Sequence, residues 1–239
     1  MMHHQTGKSL FSMNYPISEI HHARLGSSIY ALLRDALITG RFKPNDRLRI
    51  RELAEQLSTS VTPVRDAILQ LAKEQALEMR SPRDIRVPQL SQSQYDEIRL
   101  LRLSLEGMGA EQAAQKISTD ALQQLRANID QNHSAILAND MSAALRLNSE
   151  FHLLLADAAG MPLLRSVIDM LWMRTGPLIA QSYRHFSEQI ATGHHEELWQ
   201  ALACRNSEAA RTAIQQDILD GNQKMSAFLR QDSESTQLG

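Results

Sequence analysis

Residues 51–71, RELAEQLSTSVTPVRDAILQL, have the pattern of two short helices joined by a tight polar turn. In the first half, Leu53, Ala54 and Leu57 recur at the spacing of one helix face, and polar residues occupy the other positions. Residues 58–60 then interrupt this pattern, because serine and threonine side chains compete for backbone hydrogen bonds. The sequence therefore predicts an amphipathic helix of about two turns, followed by a turn.

A second helix is predicted to begin at Thr62 and Pro63. Thr62 fits the N-cap, and Pro63 fits the first helical position, where its fixed φ is favourable and its missing N–H costs nothing. The apolar residues predicted to face inward are Val64, Ala67, Ile68 and Leu71. Arg65 would then lie on the outer surface, near the end at which a recognition helix meets base edges.

The short polar turn is what a helix-turn-helix requires, although an ordinary pair of antiparallel helices has the same local pattern. The flanking segments favour the first interpretation. Upstream, residues 21–39 have the apolar spacing of a further helix, which Gly40 would end. Downstream, LEMRSPRDIRVP at 77–88 predicts two short strands around a turn at 81–84, which together would form a wing.

The charge distribution agrees with a DNA-binding head. Residues 1–90 contain 13 Lys and Arg against 9 Asp and Glu, a net charge of +4, whereas residues 91–239 contain 12 against 18, a net charge of −6. The predicted wing carries three of these cations, Arg80, Arg83 and Arg86, which suit phosphates or the minor groove. A solvated linker hairpin is the alternative interpretation of the wing segment.

The composition is that of a globular protein, with 239 residues of which 43% are hydrophobic. No run approaches the roughly 20 apolar residues of a membrane helix, and the N-terminus lacks the apolar core of a secretion signal. A cytoplasmic location is therefore expected. The single cysteine, Cys204, excludes an internal disulfide and is expected to be a small core residue.

From residue 91, helical periods replace the strand signals almost to the end of the chain. Helix starts are indicated by polar capping residues at Ser93, Ser118, Asp140 and Asn206. About six helices joined by short loops are predicted between 93 and 231, which implies an antiparallel bundle. The expected fold class is mainly α, with an N-terminal winged helix-turn-helix domain and a C-terminal all-helical antiparallel bundle.

This order of elements resembles the GntR family of bacterial transcription regulators, and the bundle resembles the FCD domain of its FadR-like branch. The resemblance covers about residues 24–230. The segments that carry it are GRFKPNDRL at 40–48, RELAEQL at 51–57, TPVRDAILQL at 62–71, RLSLEG at 102–107, LNSEFHLLLADAAGMPLL at 147–164 and HHEELWQAL at 194–202. Each segment is weakly specific, whereas their order and spacing together are strongly so.

The resemblance implies four parts of the chain. These are a flexible N-terminal arm at 1–20, a winged helix-turn-helix DNA-binding domain at 21–90, a helical effector-binding and dimerisation domain at 91–232, and a disordered tail at 233–239. The DNA-contacting residues expected on this basis are Arg51, Ser60, Thr62, Pro63, Arg65, Arg80 and Arg83. The chain departs from the family at Val61, where many relatives have arginine, and at Pro82 and Asp84, where glycines are usual in the wing.

Members of this branch often hold a divalent metal through an aspartate, a histidine four residues later and two further histidines. In this chain Asn148, His152, His195 and Asp217 match those positions, so Asn replaces Asp and Asp replaces His. Two histidines and one carboxylate, with a weak amide oxygen, are able to bind zinc, nickel or manganese. The alternatives are a site that has drifted toward direct ligand binding and histidines that serve only in packing.

The same resemblance implies an effector site in the bundle. Arg102 and Arg174 are expected to point into its interior, where a buried arginine requires an anion. That anion is either a carboxylate effector or a protein carboxylate, Glu106 or Glu150. In the second case the arginine would form a structural ion pair.

The expected function is that of a homodimeric transcription regulator, a repressor, that binds a pseudo-palindromic operator in double-stranded DNA and responds to a small carboxylate. One alternative is a regulator that senses an organic acid without a metal. The other is a metal-dependent enzyme that uses His152, His195 and Asp217. An enzyme would need a general base beside the ligands, and Glu150 is predicted to face away from His152. No enzymatic activity is therefore expected.

Overall fold

The computed structural model describes residues 22–182 and 188–237, and the predicted arm at 1–20 lies outside them. The helices are α1 (His22–Ile38), α2 (Ile50–Gln56), α3 (Val61–Lys73), α4 (Gln92–Lys116), α5 (Thr119–Leu137), α6 (Met141–Ala158), α7 (Pro162–Ser182), α8 (Glu188–Ala203) and α9 (Ser207–Gln237). The strands are β1 (Arg47–Leu48), β2 (Glu78–Ser81) and β3 (Asp84–Arg86). Helices α1 to α3 and the strands form a head, and α4 to α9 form the bundle.

The head is built around the apolar face of α3, as the sequence predicts. Val64, Ile68 and Leu71 have no exposed surface, and they pack with α1 residues in one core. The start of α3 differs from the prediction, because the helix begins at Val61 and its N-cap is Ser60. Pro63 is thus the third helical residue. It is tolerated there because the N–H groups of the first turn have no intrahelical acceptor to lose.

The wing is a β2–β3 hairpin whose two-residue loop is Pro82 and Arg83. The sequence predicts this hairpin, but it does not predict β1. Strand β1 pairs antiparallel with β3 and gives the sheet order β1-β3-β2. Two residues carry too little periodicity to be recognised as a strand, and β1 exists because β3 offers it a pairing edge.

The bundle contains the six helices that the sequence predicts. The side chains of Ser91, Ser118 and Asp140 cap α4, α5 and α6 by accepting hydrogen bonds from backbone N–H groups. The N-cap of α4 is therefore Ser91, two residues before the predicted Ser93. Helix α9 continues to Gln237, into the stretch at 233–239 that was expected to be a disordered tail. Extending an existing helix by one residue is far easier than nucleating a new one.

Head and bundle meet along α1 and α7. Gly176 of α7 lies so close to α1 that a Cβ atom there would be 2.7 Å from Ile38 Cα and 2.8 Å from the Leu37 carbonyl oxygen. Met173 of α7 is 2% exposed and belongs to the hydrophobic core of the head rather than to that of the bundle. The guanidinium of Arg34 also forms a forked ion pair with Asp169.

Two further observations concern membrane insertion and the single cysteine. Within residues 22–182 and 188–237, no helix is long and apolar enough to cross a membrane. Cys204 is exposed in the turn between α8 and α9, so the expectation of a small core residue is wrong. The apolar pattern of α8 ends with Leu202, and the turn that follows has no buried face.

Candidate DNA-binding surface and buried metal centre

The N-terminal end of α3 presents polar side chains to solvent. Ser60, Thr62 and Arg65 are exposed there, and Arg51 is exposed on α2. Neither Arg51 nor Arg65 forms an ion pair with another residue of the described chain. Both guanidinium groups are therefore available to a nucleic acid. Pro63 is buried, so its ring, unlike the other residues expected at this end of α3, offers little surface to DNA.

The wing arginines differ in their surroundings. Arg80 donates to Glu78 at 3.0 Å, and Arg86 donates to Asp84 at 3.0 Å, so both cations are paired within the hairpin. Arg83 lies at the tip, and within the described residues its guanidinium has no carboxylate partner. Its backbone carbonyl accepts a hydrogen bond from Arg47 at 2.7 Å, which holds the tip against β1.

Three side chains converge in the centre of the bundle from three helices. His152 on α6, His195 on α8 and Asp217 on α9 each offer a ligand atom, and these atoms lie within 4.8 Å of one another. His152 is 1% exposed and His195 is fully buried. The structure thus brings together three of the four residues named as candidate metal ligands.

The polar atoms of this cluster lack the hydrogen bonds that buried groups normally form. Among the described residues, none forms a hydrogen bond with His152 Nε2 or with either ring nitrogen of His195. Asp217 Oδ2 is 3.4 Å from His152 Nε2, and Asp217 Oδ1 is 3.4 Å from His195 Nε2. Two ligands that each lie 2.0–2.2 Å from a shared tetrahedral ion are about 3.4 Å apart. The donor set and its spacing therefore fit a divalent metal.

The fourth candidate, Asn148, precedes His152 by one turn of α6 and lies on the same helix face. It is partly buried, and its amide oxygen is a neutral donor. Phe151, the residue before His152, stacks on the His195 ring with the two centroids 3.8 Å apart. This stacking restrains the plane of His195, and in the described part of the chain no hydrogen bond to its ring nitrogens sets its tautomer.

A carboxylate that is not a ligand lies on the other side of His152. Glu106 Oε2 is hydrogen-bonded to His152 Nδ1, and Glu106 Oε1 accepts from Arg102 Nε at 2.5 Å. Burial raises the pKa of Glu106, but the charges of Arg102 and His152 outweigh this effect and hold the pKa at about 2. Glu106 is therefore ionised at neutral pH, and Arg102 has a protein anion as its partner.

The pKa values of the cluster follow from burial and charge. Burial lowers the pKa of His195 to about 4, against the opposing effect of Asp217. Burial raises the pKa of Asp217, but His195 and His152 outweigh it and the pKa is about 2. At neutral pH His195 is thus a neutral imidazole and Asp217 a carboxylate, the forms that bind metals. Burial lowers the pKa of His152 as well, but Glu106 and Asp217 outweigh this effect and raise it.

The structure places the two candidate effector residues apart. Arg102 lies beside the cluster, with its guanidinium carbon 4.3 Å from the Trp172 ring centroid. Arg174 does not point into the bundle interior as expected. It donates to Gln75 Oε1 at 2.5 Å and lines a crevice between the head and α7. The position follows from helix geometry, because two residues after Trp172 a side chain points to a different face of α7.

Sequence reasoning missed the contact between Glu106 and His152. The sequence names Glu106 only as a partner of Arg102, which it can reach because the two residues are four apart on one helix. The separation of Glu106 from His152 is 46 residues, and no periodicity reports which helices are neighbours. The signal that was available is chemical, because a buried metal-binding imidazole requires an acceptor at its other nitrogen.

Known proteins match both parts of the chain. The family model for the FCD domain matches residues 97–220, and that for bacterial regulatory proteins of the gntR family matches residues 25–87. The chain is 30% identical over 199 residues to the HTH-type transcriptional regulator McbR of Escherichia coli K12, and the matched region covers 82% of this chain and 90% of that protein. It is 24% identical over 211 residues to the HTH-type transcriptional repressor RspR of the same organism, with coverages of 88% and 92%.

Solved structures agree with these matches. The structure of E. coli McbR superposes with a TM-score of 0.78 at 29% identity and covers 87% of this chain and 98% of that one. These relatives are transcriptional regulators rather than enzymes, so the enzyme alternative has no support. From the winged helix-turn-helix head, the helical bundle and these matches, the chain belongs to the GntR family of bacterial transcriptional regulators, in the FadR-like branch that carries an FCD domain.

Proposed function

We propose that this protein is a homodimeric, metal-containing repressor whose affinity for a pseudo-palindromic operator is modulated by a small carboxylate bound in the bundle. The observation that carries the proposal is the cluster of His152, His195 and Asp217, with its unpaired ring nitrogens. Unpaired polar atoms at full burial are costly unless a ligand satisfies them.

The residues proposed to hold the ion are His152, His195 and Asp217, with the Asn148 amide oxygen as a fourth donor. With these four donors, an ion that takes five or six ligands would keep an open position for a carboxylate oxygen. Arg102 is the candidate partner for the effector carboxylate, which would have to share its guanidinium with Glu106. The candidate ions are zinc, nickel and manganese.

The proposed DNA contacts are the exposed polar residues at the N-terminal end of α3 together with Arg51 and the wing. Arg65 is placed to read a base edge, and Arg51 and Arg83 to contact phosphates. Arg80 would contribute only after leaving Glu78. Val61 offers an apolar side chain, which suits a thymine methyl group, so the preferred operator should differ from that of relatives with arginine there.

The proposed dimer uses the outer face of α4. Leu101 and Met108 are seven residues apart, so they lie on one face, and both are exposed. Leu163 at the start of α7 is 78% exposed and adjoins this face, because its neighbour Leu164 contacts α4 at Gly109. A second copy of the chain would cover this surface and place two recognition helices in successive major grooves.

Repression is proposed from the relatives, since RspR is named as a repressor. A dimer bound over a promoter blocks transcription without any further contact. Binding of the carboxylate would change the spacing of the two heads and so the affinity for the operator.

The test combines three measurements on the full-length protein. Metal analysis of protein purified without chelator should find about one divalent ion per chain. Selection from genomic fragments should yield a pseudo-palindrome, and fluorescence anisotropy with that operator should show a change in Kd when small carboxylates are added. Absence of sequence-dependent, salt-sensitive binding would refute the regulator proposal.

A metal-free sensor is the second candidate, and two substitutions favour it. Asn148 and Asp217 stand where the family has an aspartate and a histidine. In that case Arg102 and the histidines would bind the carboxylate directly. Calorimetric titration of chelator-treated protein with the active carboxylate separates the candidates, because the metal-containing site should lose affinity and the metal-free one should not.

A further inference from the structure

We propose that Glu106 is the positioning residue that fixes the tautomer of His152 and so directs its Nε2 lone pair at the metal. The inference rests on the metal site proposed above. It assigns to Glu106 a role beyond the ion pair with Arg102, and it identifies His152 as the ligand that is oriented before the ion binds.

The two partners of Glu106 determine where the proton of its contact with His152 lies. Its carboxylate is fully buried and has two partners, Arg102 Nε on one oxygen and His152 Nδ1 on the other. An ionised carboxylate has no proton to donate. The hydrogen in the contact with His152 must therefore belong to Nδ1.

The other ring nitrogen of His152, Nε2, faces the cluster. A metal ion binds the neutral form of imidazole, which carries one proton, so a proton held on Nδ1 leaves the lone pair on Nε2. His152 Nε2 is the atom that lies 3.4 Å from Asp217 and has no hydrogen-bond partner. The lone pair therefore points into the cluster, where a metal ion would accept it.

Glu106 is held in place by Arg102, which is itself held by Trp172. Arg102 is one turn before Glu106 on α4, and its guanidinium is stacked on Trp172, whose ring centroid is 4.9 Å from that of His152. The carboxylate, the arginine and the indole therefore form a rigid support behind His152. His195 has no such support, because its Nδ1 has no partner.

Substitution of Glu106 by Gln separates this role from simple packing. The side chain keeps its shape, but one amide oxygen replaces two acceptor oxygens, and the NH₂ group is a donor. If the oxygen accepts from Arg102, the NH₂ group faces His152 Nδ1, which then must be the acceptor. The proton moves to Nε2, and the lone pair no longer faces the ion.

The experiment measures zinc affinity by competition with a chromophoric chelator, using full-length wild type, Glu106→Gln and Glu111→Gln. Glu111 is on the same helix and forms an ion pair with Arg211. Glu111→Gln therefore removes one paired carboxylate, as Glu106→Gln does, but at a position away from the cluster. We expect Glu106→Gln to bind zinc about 10- to 100-fold more weakly and Glu111→Gln to bind like wild type. Equal zinc affinity in all three proteins would overturn the inference.

The tautomer itself is measured by nitrogen-15 NMR of the histidine side chains in zinc-free protein, at a pH high enough for His152 to be neutral, with His152→Gln identifying the signal. Wild type should show the proton of His152 on Nδ1, and Glu106→Gln should show it on Nε2. A wild-type proton on Nε2 overturns the inference even if the variant fails to fold. Failure of wild type to bind zinc refutes the metal site instead, so the two failures are distinguishable.

Discussion

At the scale of single residues, the exposed end of α3 presents Arg65, the residue proposed to read a base edge. Its guanidinium is exposed and unpaired within the described chain, so DNA binding would not have to break an ion pair. An arginine held in this way is able to donate two hydrogen bonds to guanine O6 and N7.

Substitution of Arg65 by Ala should therefore weaken binding to the selected operator by about 1–3 kcal/mol, roughly 5- to 150-fold in Kd. The loss should be concentrated at one base pair, because the variant can no longer distinguish it. Fluorescence anisotropy with the operator and with its single-base variants measures both effects. Lys73→Ala, at the opposite end of α3, is the control and should bind like wild type.

The resemblance to the family singled out Arg65, His152, His195 and Asp217, because matching a motif requires only positions along the chain. It could not predict that Pro63 is buried, since Thr62 and Pro63 fit the start of a helix that in fact begins at Val61. In α3 Pro63 lies one turn before the buried Ala67 and shares its face. The location of Arg174 depends on how the head packs against α7, which no local pattern contains.

At the scale of elements, the β2–β3 wing has two exposed arginines with different availability. Arg80 is bound to Glu78, whereas Arg83 at the loop has no carboxylate partner in the described part of the chain. If Arg80 contacted DNA, it would have to leave Glu78, which would then be an unpaired anion. The wing should therefore reach phosphate through Arg83.

Arg83→Ala should weaken binding to all DNA sequences by a similar factor and reduce the slope of log Kd against log salt by about 1. Arg80→Ala should have a clearly smaller effect on both quantities, because an intramolecular ion pair already neutralises its charge. The measurement is a salt titration of operator and nonspecific duplex. Equal losses in the two variants would show that Arg80 leaves Glu78 when DNA binds.

The contact between α1 and α7 depends on the absence of a side chain at Gly176. A methyl group there would press on backbone atoms of Leu37 and Ile38, which are not able to move as a flexible side chain does. Gly176→Ala should therefore destabilise the protein by about 1–3 kcal/mol, despite the better helix propensity of alanine.

Denaturant unfolding measures this difference, and Gly26→Ala is the control. A Cβ at Gly26 of α1 meets no described atom within 4 Å, so that change should be neutral or slightly stabilising. If both variants were equally stable, the close approach of α1 to α7 would not contribute to the fold.

Element boundaries show where sequence patterns lose their power. Capping residues located the starts of α5 and α6, because a side-chain acceptor for free N–H groups is a local requirement. Strand β1 and the extension of α9 to Gln237 have no such marker. The first depends on pairing with β3, and the second on continuation of a helix already formed.

At the scale of the whole molecule, α7 connects the two proposed sites. Trp172 lies against His152 and Arg102 in the bundle, while the next residue, Met173, is part of the core of the head. One turn earlier, Asp169 holds Arg34 of α1 in a forked ion pair that is only partly exposed. A shift of α7 at the cluster would therefore move α1 and the recognition helix with it.

Asp169→Asn should reduce this coupling without removing either site. Zinc affinity in the absence of DNA should be unchanged, because Asp169 lies outside the cluster, and operator affinity of the zinc-free protein should stay close to that of wild type. The ratio of operator Kd values with and without zinc should move toward 1. Asp157→Asn is the control, since its exposed ion pair with Arg165 lies within the bundle.

The coupling has to appear in the reverse direction as well. If zinc changes operator affinity by some factor, then operator DNA must change zinc affinity by the same factor, because both describe one thermodynamic cycle. Asp169→Asn should therefore reduce the effect of DNA on zinc affinity as much as it reduces the effect of zinc on DNA affinity. If Asp169→Asn kept the wild-type ratios in both directions, the Arg34–Asp169 pair would be excluded as the connection. If zinc did not change the operator Kd of the wild type, zinc would be excluded as the regulating ligand, and a carboxylate would remain the candidate.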